Sequence, residues 1–102
     1  MEFGVTERIT LMQLLPQEGD YLTYKILSEL RSALAFSEED LKELEMVVNG
    51  DKVTWNPDKA TDKDIKVGDK GKEIIKSALK KLDDSGKIGA SNVSLYEKFM
   101  LD

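Results

Sequence analysis

The sequence predicts an α+β fold that is mostly helical, with about five helices and a small two- or three-stranded antiparallel β-hairpin sheet. Three observations carry that expectation. Apolar residues recur at helical spacing in several separate stretches, and helix-capping residues stand in front of them. One stretch, MVVNGDKVTWNP (Met46 to Pro57), instead alternates apolar and polar residues around a turn. The chain has 102 residues, which suits a single compact domain over 1–102 and is too short for two cores.

Thr6 can cap a first short helix carrying Ile9, Leu11, Met12, Leu14 and Leu15, ended by Pro16 and the turn residues of PQEGD. Asp20 can cap the second, where Leu22, Ile26, Leu30, Ala33 and Leu34 recur at helical spacing. Leu27 widens that stripe and makes this helix central. The third start is the best specified. In FSEEDL, Ser37 is the N-cap and Asp40, at the third helical position, completes a near capping box, with Phe36 and Leu41 placed for a hydrophobic staple. Glu38, Glu39 and Asp40 fill its first turn, where the helix dipole favours negative charge.

The hairpin follows. A two-residue turn at Gly50-Asp51 sets Val48 opposite Val53 and Met46 opposite Trp55, so these four side chains share one apolar face. A turn at Asn49-Gly50 has the stronger type I′ chemistry but would pair Val48 with Asp51, and a four-residue loop NGDK keeps the first pairing. NPDKATDKD is a polar connection, after which Ile65 to Val67 can add a third strand to the hairpin. A long helix runs from about Asp69 to Asp84, with Ile74, Ile75, Ala78, Leu79 and Leu82 on one face, and Ser85-Gly86 stops it. Ser91 can cap a last helix bearing Leu95, Tyr96, Phe99 and Met100.

Composition limits the chemistry. The chain has no Cys and no His, hence no thiolate nucleophile, no imidazole base and no zinc site of the usual kind. Any catalysis would rest on carboxylates, Lys, Tyr or Ser, so the expectation is a non-enzyme without metal or cofactor. No apolar run reaches membrane-span length, and the acidic start MEFGVTERITLMQLLP lacks the basic region of a secretory signal, so a cytoplasmic location and no membrane association are expected. Net charge is −5, unevenly spread: residues 1–58 hold five basic and twelve acidic residues, residues 59–102 ten basic and eight acidic. An acidic helical half opposes phosphate, and nucleic acid is not the expected partner.

Four motif-like stretches have plain structural readings. VGDKGKEI contains G-x-x-G-K, but a P-loop needs four residues between its glycines and Ser or Thr after the Lys, where Glu73 stands. The same residues resemble the KH-domain loop, with Val67, Gly68, Asp69, Lys70, Gly71 and Ile74 at its positions. The structural reading is a strand-to-helix turn capped by Asp69. Asp58, Asp62 and Asp64 lack EF-hand spacing and are interrupted by Lys59 and Lys63. NVS at Asn92 is a glycosylation triplet with meaning only on a secretory route. A winged-helix reading fits the element order, but its recognition helix would be SEEDLKELE, with five acids and one Lys.

The stretches TERITLMQLLPQEGDYLTYKI, FSEEDLKEL, VTWN, DIKVGDKGKEIIKSALKKLDDSGKI and SLYEKF resemble a family of small uncharacterised proteins encoded by bacteriophages and prophages of Gram-positive bacteria. The resemblance implies a phage context and a host cytoplasm, with no mechanism or functional residue to carry over. The expected function is a non-enzymatic protein-interaction module, its partner another protein or a second copy of the chain. Candidate partner-binding residues are Trp55, Met46 and Val53, with Trp55 either sealing a core or anchoring a partner. The alternative is a nucleic-acid-binding protein using the hairpin or the Lys70–Lys81 region, through Lys70, Lys72, Lys76 and Lys80.

Overall fold

Local capping chemistry decides most of the helix boundaries. In the computed structural model, which describes residues 1–101, the order is β1 (Glu2–Phe3), α1 (Val5–Leu14), α2 (Tyr21–Leu34), α3 (Glu38–Leu44), β2 (Val47–Asn49), β3 (Lys52–Thr54), β4 (Lys63–Asp64), α4 (Asp69–Asp84) and α5 (Val93–Met100). A short 3-10 turn, Pro57–Lys59, precedes β4. The fold is therefore α+β and mostly helical, with two small antiparallel sheets.

Asp20 caps α2, its carboxylate accepting the Thr23 N–H at 2.8 Å. Ser37 and Asp40 close a reciprocal box on α3: Ser37 Oγ accepts the Asp40 N–H at 3.1 Å and Asp40 Oδ2 accepts the Ser37 N–H at 3.0 Å. The first helix departs from expectation. It starts before Thr6, with Gly4 at the N-cap and Glu7 at the third position accepting the Gly4 N–H at 2.9 Å. The last helix starts at Val93 rather than after Ser91, because the Asn92 side chain turns back to accept the Gly89 N–H at 2.7 Å.

The core lies between α1, α2, α4 and α5. Leu11, Leu27, Ile75, Leu79 and Leu95 are fully buried, joined by Leu15, Leu30, Leu34 and Phe99. Burying such side chains contributes roughly 1.5–3 kcal/mol each before entropy is counted. Gly71 lets α4 approach α2: a Cβ there would stand 3.2 Å from Val67 Cγ1 and 3.3 Å from Leu30 Cδ1. The G-x-x-G run is thus partly a helix-packing device. Leu22, expected in the buried stripe of α2, is 70% exposed, as are the neighbouring Tyr21 and Tyr24 at 77% and 51%.

The strand after the polar connection also departs from expectation. It lies at Lys63–Asp64 rather than at Ile65 to Val67, and it does not extend the hairpin; β4 pairs with β1, placing Glu2 opposite Asp64 and Phe3 opposite Lys63. The reason is burial. Phe3, Ile65 and Val67 are core residues, and the Ile65 N–H donates to the Met1 carbonyl at 2.8 Å, holding the two segments together against the helices.

The hairpin stands apart from that core. Its register is Val47–Thr54, Val48–Val53 and Asn49–Lys52, around a Gly50-Asp51 turn. Gly50 has φ +63°, and Glu45 is the only non-glycine described residue at positive φ, so the turn carries its single positive φ at the first central position. Val48 is 63% exposed and Met46, Val53 and Trp55 are half-buried, none of them in the main core. The apolar face shared by Met46, Val48, Val53 and Trp55 does not seal that core. The hairpin instead makes one wall of a groove.

Candidate functional site

The groove opens between α1 and the hairpin and has a volume of about 560 Å³. From α1 come Ile9, Met12 and Gln13, with Gln17 just beyond the helix end. Ala35 and Phe36, at the α2–α3 junction, and Leu41 of α3 form its base. Met46, Val48 and Val53 close the hairpin side. Among the described residues no charged side chain lines it. Its surface is apolar side chain apart from the two glutamines.

A buried cation sets the base. Arg8 is only 2% exposed. Its Nε donates to the Leu34 carbonyl at 3.1 Å and Nη2 to the Ala35 carbonyl at 2.8 Å, satisfying the end of α2. The same guanidinium lies 3.9 Å from the Phe36 ring centre and 3.4 Å from Asp40 Oδ2. Arg8 thereby fixes the end of α2, the ring facing the groove and the start of α3. The Ser37 N–H, against the pull of partial burial and helped by Arg8 and Lys63, holds the Asp40 carboxyl below the usual range.

The hairpin is fastened at its base by α3. The Met46 N–H donates to the Leu41 carbonyl at 2.9 Å and the Asn56 N–H to the Leu44 carbonyl at 2.8 Å. Glu45 adopts φ +54° to turn the chain out of the helix. Its carboxylate accepts from Lys59 Nζ at 3.0 Å and Asn56 Nδ2 at 3.2 Å, and these bonds lower its pKa.

Met46 and Val53, two of the three sequence-derived candidates, therefore meet in the groove, whereas Trp55 is half-buried and does not line it. Sequence reasoning missed Ile9, Met12, Gln13 and Gln17. A signal was present: α1 carries a second apolar stripe, Ile9 and Met12, beside the Leu11 and Leu15 stripe that reaches the core.

The alternative lysines do not converge. Lys70 lines a separate groove of about 430 Å³ between α2 and α4, where Glu29 and Asp69 also stand. Lys72, Lys76 and Lys80 follow one another at helical spacing, and Lys70, two residues before that row, points to another side of α4. Lys70 pairs with Glu73 at 3.7 Å and Lys80 with Asp84 at 3.6 Å. A third concavity, of about 330 Å³, is lined by Arg8, Asp40, Glu43, Lys59, Asp62, Lys63 and Asp64, with charges of both signs. Among the described residues no three His, Cys, Asp or Glu side chains group as a metal site, and no helix is long and apolar enough to cross a membrane. The chain matches no protein-family model, no curated protein and no solved structure.

Proposed function

We propose that the chain is a non-enzymatic protein-interaction module of phage or prophage origin, working in the host cytoplasm and docking its partner in the groove between α1 and the hairpin. The observation that carries this reading is the groove itself: among the described residues a concave, uncharged surface whose wall includes the exposed Val48. Exposed contiguous apolar surface of this kind marks interaction sites more often than chance. The phage origin rests on the resemblance of the stretches from Thr6 to Phe99 quoted above. A small-molecule site would carry a few placed polar anchors, and here, among the described residues, the only polar lining side chains are Gln13 and Gln17. The split lysines, each mixed with carboxylates, weaken the nucleic-acid alternative.

Site-specific photocross-linking in a Gram-positive host tests the reading. A benzophenone side chain at Val48 or Gln13 is expected to give discrete protein adducts, and one at the exposed Ser28 on α2 is not. Equal adducts from all three positions, or none from the groove, would sink it.

A further inference from the structure

We infer that Asn49 is a site of spontaneous covalent modification: at the exposed Asn49-Gly50 step of the hairpin the side-chain amide is lost through a cyclic imide, leaving aspartate or isoaspartate. This holds whether or not a partner docks in the groove. The chain has three asparagines, and the structure separates them. Ring closure needs a side-chain amide free to turn back, a following backbone nitrogen that carries a hydrogen and is not engaged, and room for the two to meet. Asn56 fails because the next nitrogen belongs to Pro57 and carries no hydrogen. Its side chain is also held, Oδ1 accepting the Asp58 N–H at 3.0 Å and Nδ2 donating to Glu45 at 3.2 Å. Asn92 fails as well. Its Oδ1 accepts the Gly89 N–H at 2.7 Å and its Nδ2 donates to the Lys87 carbonyl at 3.4 Å. The following N–H, of Val93, donates to the Gly89 carbonyl at 2.9 Å, and Val93 is branched at Cβ.

Asn49 meets all three conditions. It is exposed at the end of β2, and its side chain makes no hydrogen bond among the described residues. Gly50 follows it in the turn, outside the Asn49–Lys52 pair, and its N–H donates to no described residue. Even a Cβ on Gly50 would meet no atom within 4 Å, and glycine has none, so nothing crowds the approach. The Gly50 nitrogen attacks Asn49 Cγ, and the new N–Cγ bond replaces Cγ–Nδ2. The amide leaves as ammonia, taking the proton from the Gly50 nitrogen, which is the chemistry that makes asparagine thermolabile. Water then opens the imide at one of its two carbonyls. Opening at Cγ restores the ordinary main chain with an aspartate. Opening at the main-chain carbonyl leaves an isoaspartate, whose backbone runs through Cβ and Cγ.

The two products act differently on the hairpin. An aspartate at this position stands directly opposite Lys52, and opposite charges suit a cross-strand pair. An isoaspartate adds a main-chain carbon between Val48 and Gly50 and, as a bulge does, disrupts the ladder where it is inserted. The Asn49–Lys52 pair is lost first, and the Val48–Val53 pair beside it forms a wall of the groove. Chemistry at the turn thereby reaches that wall.

The full chain is aged in warm, mildly alkaline buffer, digested and mapped by mass spectrometry. Isoaspartate is read by methyl transfer from a protein isoaspartyl methyltransferase. The peptide spanning Asn49 is expected to gain the mass of NH2 replaced by OH and to become a methyl acceptor, while those spanning Asn56 and Asn92 stay unchanged. The rate should rise with pH, because the attacking nitrogen must lose its proton. N49Q, whose imide would need a larger and slower-forming ring, should bring methyl acceptance down to background. It should keep the wild-type circular dichroism, since the position is exposed. In the modified fraction, separated by anion exchange, the Lys52 amide should exchange with deuterium faster than in the fresh chain.

An Asn49 that stays intact in the folded chain while the free peptide VVNGDK converts would overturn the inference, because the hairpin would then shield the step. So would conversion of Asn56 or Asn92 at the same rate, or methyl acceptance undiminished in N49Q. Unaltered exchange at Lys52 in the modified fraction would overturn the claim that isoaspartate unpairs the end of the hairpin.

Discussion

At the scale of single residues, the decisive side chain is one the sequence reading passed over. Arg8 lies on a short amphipathic helix, where a cation is ordinarily solvated, and nothing at spacing three or four announces a partner; its acceptors are 26 to 32 residues away. Removing it by Arg8→Met would leave the Leu34 and Ala35 carbonyls short of a donor and Phe36 without its cation, for an expected loss of about 2–4 kcal/mol. Arg8→Lys should recover only part of that, since an ammonium cannot reproduce the planar fork spanning two carbonyls and Asp40. Urea melts of the two variants check the order, and a lysine variant as stable as wild type would mean the fork geometry is irrelevant. Trp55 was legible only as a choice between core and partly exposed anchor, and the structure leaves it half-buried outside the main core. Trp55→Ala should therefore cost less than the roughly 3–5 kcal/mol of a fully buried aromatic. Thr54→Ala, at an exposed strand position, should change stability by under about 0.5 kcal/mol. A full core-sized loss at Trp55 would restore its reading as a residue that seals the core.

At the scale of elements, what could be read was what depends on neighbours in sequence. The box at Ser37 and Asp40, the Asp20 cap, the Asp69–Asp84 helix and the Val48–Val53 pairing are all set within a few residues. The partner of the strand near Ile65 was not legible, because period two says which side chains share a face and not which strand they meet; Phe3, more than sixty residues away, supplied the answer. The exit from α3 was missed for a different reason. A chain leaving a helix through a left-handed residue usually spends a glycine there, and this one uses Glu45. The carboxylate that fastens Lys59 and Asn56 comes with a backbone conformation costing a non-glycine residue roughly 1–2 kcal/mol. Both fastening contacts are on exposed groups, so Glu45→Gly is expected to raise the urea midpoint slightly despite losing them. Glu45→Val, branched at Cβ, should lower it. A lower midpoint for the glycine variant would show that the exposed carboxylate, not the backbone, governs the hairpin base.

At the scale of the whole molecule, the uneven charge was fully legible and the way the ends of the chain are tied was not. The acidic half supplies every residue of the apolar groove, and electrophoretic mobility shift at physiological salt is expected to show no binding to duplex DNA. Micromolar binding there would put the hairpin-as-wing reading first. The tie between the ends is Lys98 on α5, whose Nζ donates to Glu7 Oε1 at 2.8 Å and to the Glu2 carbonyl, 5.2 Å from the Phe3 ring centre. Burial alone would raise the Glu7 carboxyl, but the Lys98 ammonium, the Gly4 N–H and Ser94 outweigh it and hold the pKa below its ordinary value. A carboxyl depressed in the folded state adds stability that is present above its unfolded pKa and is lost as pH falls through the folded one. The Asp20, Asp40 and Glu45 carboxyls are depressed too, through the Thr23 N–H, the Ser37 N–H and Lys59 respectively, so the fold as a whole should weaken in acid. Glu7→Gln isolates one contribution. At about pH 7 it should melt below wild type by the equivalent of about 1 kcal/mol, the low end for a charge-assisted hydrogen bond because the pair is partly solvated. The gap should close as pH is lowered toward about 3, since protonation removes the same charge from the wild type. A gap that stays constant with pH would mean that Glu7 acts through shape alone and that the Lys98 contact does not join the first helix to the last.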